Sequence, residues 1–443
     1  MLIRFKVSNF LSFKEETEFS MVAGKERIHP NHVIKGEKNQ PNLLRAALLY
    51  GANAAGKSNF VKAIEHAGLL ILEMGKSILL TEVFKLDEES HNKPSKFVFE
   101  IIVNEKVYEY GFEVSFGAIE EEWLIEFSQG TEICLFKRTY KKGAEVTFAE
   151  TDFLKKKADK EFLKFIQKST IPSKLFLTHC KNNNVEWFRD VYEWFANTLE
   201  IVYPNSFNSR LEKMLQENIS FREFFKELNK KAGTGITSFE IIEFYGRTDE
   251  WGRPTGLIIE ADSITKPQEK NAKKAGAEKL SRLKLFHNNE EISQGNIFIE
   301  THFEKEQESE GTQRLFDLAF PFYDLATSKT PKVYIIDELE RNLHTNLSYM
   351  LLKSYLEQTG KGQLIATTHD THLLDLDLLR RDEIWFAEKD EHGATQLYSL
   401  YEFNPRYDKK IEKEYLTGRF GAIPFLGNLE FKKQLAKNGK SKK

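Results

Sequence analysis

The sequence predicts an α/β fold: a sheet carrying a glycine-rich loop, a flanking antiparallel β lobe, and an inserted, mostly helical subdomain. Three observations predict it. The apolar run from Leu43 to Tyr50 is closed by Gly51-Ala52-Asn53-Ala54-Ala55-Gly56-Lys57-Ser58, and a helical pattern begins at Asn59. Residues 96–149 alternate repeatedly between apolar and polar. A second apolar run, Val333 to Ile336, ends in the adjacent acids Asp337 and Glu338. Strand, glycine loop and helix together aim backbone N–H groups and a helix dipole at a phosphate.

Taken in order, Ile3–Asn9 and Glu15–Met21 read as two strands, joined by the turn-like Phe10-Leu11-Ser12-Phe13. Residues 24–42 are polar, with prolines at 30 and 41, and read as a loop. The helix after the glycine loop runs to about Met74. Within 96–149 a meander turns at Asn104-Glu105-Lys106. Residues 150–235 read as mostly helical. There Trp187, Phe188, Val191, Trp194 and Phe195 fall at helical spacing, as a core-facing stripe does. Strand-like alternation returns from Ile236 to Glu260 around turn residues Gly246 to Gly256.

Residues 262–296 change composition. Between 266 and 284, Lys266, Lys270, Lys273, Lys274, Lys279, Arg282 and Lys284 meet only Glu269 and Glu278. The plain reading is a solvated loop or insertion; the sharper one is a basic arm for nucleic-acid phosphates. The basic end, 437–443, reads as a disordered tail. The division expected is 1–150 for the first part of the head, 151–297 for the insertion, 298–430 for the second part and 431–443 for the tail.

Composition narrows the function classes. A 443-residue chain with 40% hydrophobic and 30% charged residues has ample core for a globular protein. A net charge of −3 confines any polyanion site to a local patch. Cys134 and Cys180 make neither a disulfide framework nor a zinc cluster, and both are expected to be buried thiols. No run of 18 apolar residues and no N-terminal leader pattern occur, so a cytoplasmic protein without a membrane span is expected.

The motifs name the chemistry. Gly51, Asn53, Gly56, Lys57, Ser58 and Asn59 belong to a nucleotide-phosphate site. Asp337 is placed to share Mg²⁺ with the Ser58 hydroxyl, and Glu338 to orient and polarise an attacking water. Adjacent acids at a buried strand end are costly unless paired, which argues against a purely structural role. Gly362 to Thr368 is another apolar strand, and His369 at its end can sense a γ-phosphate. Ser309 and Gly311 cap a helix running through Asp317, Leu318 and Phe320, so its N-terminus is offered to a phosphate.

Glycine loop, long insertion, Ser-x-Gly, Asp-Glu and a final His, in that order, resemble the ABC-type ATPases of the SMC/RecF/OLD class. Asn9-Phe10-Leu11-Ser12-Phe13 is similar to the first-strand pattern of that class. Leu373-Leu374, the run Arg381 to Asp390, and Tyr415 to Pro424 look like the stand-alone AAA-domain ATP-binding proteins of bacterial defence operons, RloA-like proteins among them. The resemblance covers 1–75 and 300–427. It implies ATP and Mg²⁺ as cofactors, hydrolysis to ADP and phosphate, and a homodimer or higher homo-oligomer built on an ATP sandwich. In it Glu338 would be the hydrolytic carboxylate, His369 the switch, and Ser309 and Gly311 would act on the partner's nucleotide.

Two motifs depart from the usual pattern. Glu308-Ser309-Glu310-Gly311 stands where Leu-Ser-Gly-Gly is usual. After the acids, Glu340 and Asn342-Leu343-His344-Thr345 replace Asp and Ser-Leu-His-Pro. Gln129 is the available candidate for the lobe-connecting glutamine.

The function expected is therefore a nucleotide-gated sensor or scaffold in phage defence, working with a separate nuclease or toxin. A RecF-like repair ATPase that binds DNA through 262–296 is the first rival, which keeps nucleic acid among the partners. An OLD-like nuclease is the second. Only about 70 residues follow His369, too few for an appended nuclease domain.

Overall fold

The computed structural model describes residues 1–37, 39–74, 81–128, 130–204, 210–248, 254–260, 265–287, 302–407 and 409–423. Gln129, the tail 437–443, and most of the turn expected between Gly246 and Gly256 lie outside them.

The chain opens with β1 (Leu2–Ser8) and β2 (Thr17–Ser20). A short antiparallel pair follows, β3 (Val33–Ile34) and β4 (Leu43–Leu44), inside the stretch expected to be loop. Then come β5 (Ala46–Tyr50) and α1 (Lys57–Leu72). The meander is β6 (Ser95–Val103), β7 (Lys106–Ser115), β8 (Ala118–Ser128), β9 (Thr131–Thr139) and β10 (Thr147–Phe148). Its strands join the first two in one sheet of order β10-β9-β8-β7-β6-β1-β2. Consecutive strands here are antiparallel neighbours, because short turns permit only that pairing.

The second stretch is α2 (Lys157–Lys168), α3 (Phe176–Asn182), α4 (Arg189–Asn197), β11 (Leu199–Val202), α5 (Arg210–Glu217) and α6 (Ile219–Ala232). It continues with β12 (Ile236–Thr248), β13 (Pro254–Glu260), α7 (Lys266–Lys274), β14 (Glu278–His287) and β15 (His302–Glu304). The last stretch is α8 (Glu310–Thr327), β16 (Val333–Ile336), α9 (Thr345–Leu356), β17 (Gln363–Thr367), β18 (Ile384–Lys389), β19 (Thr395–Ser399), α10 (Leu400–Phe403) and α11 (Ile411–Leu416).

The central sheet has the order β11-β16-β17-β5-β18-β19, parallel except for β18–β19. Both faces are covered, so its strands read as continuous apolar runs. Ala47 and Leu49 face a core shared with α1, α4 and the antiparallel lobe. Ala46, Leu48 and Tyr50 face a second core shared with α6, α8 and α9. The expected stripe, Phe188, Val191, Trp194 and Phe195, is buried in the first core, and Trp187 packs against it.

Two expectations are corrected. Residues 262–296 are not a loop throughout, because they contain α7 and β14, and β14 lies between β12 and β15 in a four-stranded sheet. Leu283 and Leu285, two residues apart, drive this burial at 1% and 0% exposure. Part of the basic charge there is paired within the fold: Lys273 with Glu269, Lys279 with Glu243 and Arg282 with Glu304. Cys180 is buried as expected, but Cys134 is exposed. A register shift between Leu124 and Ile125 in β8 pairs Ile125 with Cys134, on the outer side of β9. Among the described residues no helix is long and apolar enough to cross a membrane.

Candidate nucleotide site

Parallel pairing brings three strand ends to one edge. β5 delivers Gly51–Ser58, β16 delivers Asp337 and Glu338, and β17 delivers His369, all at their C-terminal ends. Gly56 has φ +112 and precedes α1 as its N-cap. A Cβ there would overlap the Thr395 side chain, so both conformation and space require glycine. Lys57 is 6% exposed, and its Nζ donates to Gly51 O at 2.8 Å and Ala52 O at 3.1 Å. Burial lowers its pKa to about 8, against the pull of Glu340, Asp337 and Glu338. Asn53 is exposed on the loop.

The carboxylates are held by a relay through Thr367. Its Oγ1 donates to Asp337 Oδ1 at 2.6 Å and accepts from Glu338 N at 2.8 Å. Ser58 Oγ donates to the same Asp337 oxygen at 3.2 Å. Glu338 has φ +49, a left-handed backbone uncommon for a residue other than glycine. Its side chain pairs with Arg341 at 3.3 Å. His369 donates its backbone N–H to Glu340 Oε1 at 2.7 Å. Partial burial and the nearby Lys57 ammonium hold the His369 ring below the usual histidine pKa.

Ser58 and Asp337 supply hard oxygen donors converging on one point, which suits Mg²⁺. No group of three or more His, Cys, Asp or Glu among the described residues could cage a metal. Such an ion would therefore take its other ligands from phosphates and water, as Mg²⁺ at a phosphate loop does. Bound there, it would neutralise charge on the phosphates.

Ser309 is the exposed N-cap of α8, its Oγ accepting from Thr312 N at 3.2 Å. Gly311 lies against Asn342 O, where a Cβ would stand 2.7 Å away. Among the described residues no hydrogen bond joins Ser309 or Gly311 to the glycine loop of the same chain. Asn59 is engaged elsewhere, donating to Ser12 Oγ at 2.8 Å. The Thr395 hydroxyl lies 2.8 Å from both Ser12 Oγ and Ala55 O. The Asn9–Phe13 motif thus braces the loop from behind.

Sequence reasoning missed Thr367, Thr395 and Arg314, and left Glu340 without a role. Arg314, 2% exposed in α8, donates to the carbonyls of Asp337 at 2.9 Å, Glu338 at 2.8 Å and Tyr203 at 3.2 Å. No local signal marks such residues, because each acts across the fold. Only the Thr367-Thr368 pair at the end of a buried strand offered a hint.

A family model described as "AAA domain, putative AbiEii toxin, Type IV TA system" matches residues 46–375. Among solved structures the chain is similar to an SMC head bound to the C-winged helix domain of ScpA. The identity is 13% and the TM-score 0.41, covering 90% of this chain and 97% of that one. The SMC head domain from Thermotoga maritima matches at 13% identity and TM-score 0.36, over 90% and 98%. A Pyrococcus furiosus Smc head with an extended coiled coil, bound to the C-terminal domain of ScpA, matches at 13% and 0.36, over 91% and 99%. No curated protein sequence matches the chain significantly.

Proposed function

The chain belongs to this AAA-domain family, and from that premise we propose that it binds ATP with Mg²⁺, hydrolyses it, and uses the cycle to gate a defence complex. The observation that carries the reading is the Ser58–Asp337–Thr367–Glu338 relay at the mouth of the loop. Gly51, Gly56 and Lys57 cradle the phosphates, while Ser58 and Asp337 hold the ion. Glu338, fixed by its backbone bond to Thr367, orients water toward the γ-phosphate. His369 stands where loss of that phosphate would be felt. Ser309 and Gly311, which make no hydrogen bond to their own chain's loop among the described residues, close over the ATP of a second copy. The assembly opens on hydrolysis, which suits a cytoplasmic sensor or scaffold with a separate nuclease or toxin. The family's toxin–antitoxin description and the similarity of 373–424 to defence-operon proteins support that role.

Turnover and assembly size of three variants test it. Lys57→Ala is expected to lose nucleotide. Glu338→Gln is expected to keep ATP, drop turnover at least about a hundredfold, and accumulate an ATP-bound oligomer. Ser309→Arg is expected to bind ATP yet not assemble. Normal turnover of Ser309→Arg at every protein concentration would end the shared-site reading. Phage plating with and without a separate nuclease or toxin partner tests the defence role.

A further inference from the structure

Far from the nucleotide site, α2 carries a surface that the ATPase reading does not use. Residues 155–168 hold six lysines against Asp159 and Glu161, in a chain whose net charge is −3. Lys157 pairs with Glu161, and Lys160 with Asp152. Lys155, Lys156, Lys164 and Lys168 have no ion-pair partner among the described residues. Leu163 and Ile166 turn inward at 5% and 1% exposure. Phe162 and Phe165, one turn apart on the outer face, stay 42% and 66% exposed. Phe162 meets Trp187 edge-on at 6.2 Å.

The exposed apolar surface continues beyond the helix. Ile171, just past its end, is 55% exposed. Ile119 N bonds Pro172 O, which sets Ile171 beside the β7–β8 turn. On that turn Phe116 is 80% exposed at φ +47.

Exposed rings beside a row of unpaired lysines are complementary to a chain with flat faces and regularly spaced negative charge. We propose that this face of α2 binds single-stranded nucleic acid, bases stacking on Phe162 and Phe165 and phosphates meeting Lys164 and Lys168. Duplex fits less well, because its base faces are already stacked inside the helix. Lysine is depleted in protein–protein interfaces, which argues against a protein occupant. A membrane-surface helix needs a broad apolar face, whereas the apolar face of α2 that is broad is buried against its own lobe.

The test uses full-length protein, fluorescence anisotropy, labelled oligothymidylate and oligouridylate of about 20 nucleotides, and a duplex of equal length. Wild type is expected to prefer the single strands. Phe165→Ala is expected to weaken them about five- to tenfold, and Phe165→Trp to restore binding. Lys164→Glu with Lys168→Glu is expected to weaken them at least about tenfold and flatten the salt slope by about 1.4. Melting temperature and ATP turnover stay as in wild type, since none of the three α2 variants touches the nucleotide site; binding is read without nucleotide, so failure of the ATPase reading leaves the result legible. Unchanged affinity in the variants overturns the proposal. So does sensitivity to the lysine changes alone, equal binding of the duplex, or binding only to vesicles of anionic phospholipid.

Discussion

At the scale of single residues, burial tunes the groups that sit behind the site. His66 on α1 stacks on Phe10 with ring centroids 5.1 Å apart, lies 5.8 Å from Phe97, and has Nε2 3.0 Å from Thr81 Oγ1. That wall favours the neutral ring, and burial lowers its pKa to about 4 against the weaker pull of Glu82. The sign of the consequence is fixed. Between about 4 and the unfolded value of 6.5 the unfolded chain binds the extra proton, so stability falls as pH falls through that window. The contribution is full above pH 6.5 and reaches at most about 3 kcal/mol. Urea unfolding at pH 7 and pH 4.5 should show this loss in wild type and a smaller one in His66→Leu. Equal pH dependence in the two proteins would assign the acid loss to other groups.

Among elements, α8 carries the most consequence. Its N-terminus presents Ser309, while Arg314 ties the same helix to the backbone of Asp337 and Glu338. Lys305 and Asp317, paired at 2.7 Å, anchor its approach, and His287 holds Glu308 at 2.7 Å. Arg314 therefore links α8 directly to the Glu338 backbone of its own chain. Removing the guanidinium in Arg314→Ala would strip the buried Asp337 carbonyl of its donor, while Glu338 O keeps the Arg341 backbone N–H. The variant is expected to lose about 1–3 kcal/mol of stability. Its turnover should fall further than its folded fraction. Denaturation and ATP turnover measured on the same preparation separate the two effects; turnover that merely tracks the folded fraction would reduce Arg314 to a structural brace.

For the whole molecule, legibility followed locality. The glycine loop was readable because eight consecutive residues and their flanks encode it. The meander was readable because its strands pair with their sequence neighbours. The sheet of β12 and β14 was half read: lysine-rich composition in 262–296 masked the two-residue spacing of Leu283 and Leu285. What joins the sheets was not readable, since each link spans hundreds of residues. Gln363 is the clearest case. Fully buried at the start of β17, it accepts from Leu2 N at 2.7 Å. Its Nε2 donates to Leu2 O at 3.0 Å and Leu44 O at 3.2 Å. One amide side chain thus links the antiparallel sheet, the β3–β4 pair and the nucleotide-bearing sheet, beside the core they share. Gln363→Leu keeps the approximate volume but strands three backbone groups, each costing about 1–3 kcal/mol when buried without a partner. The expected loss is at least about 3 kcal/mol, with β1 amides exchanging faster than those of β5. Equal exchange protection of the two strands in the variant would mean that packing alone, rather than this amide, holds the lobe to the nucleotide-bearing sheet.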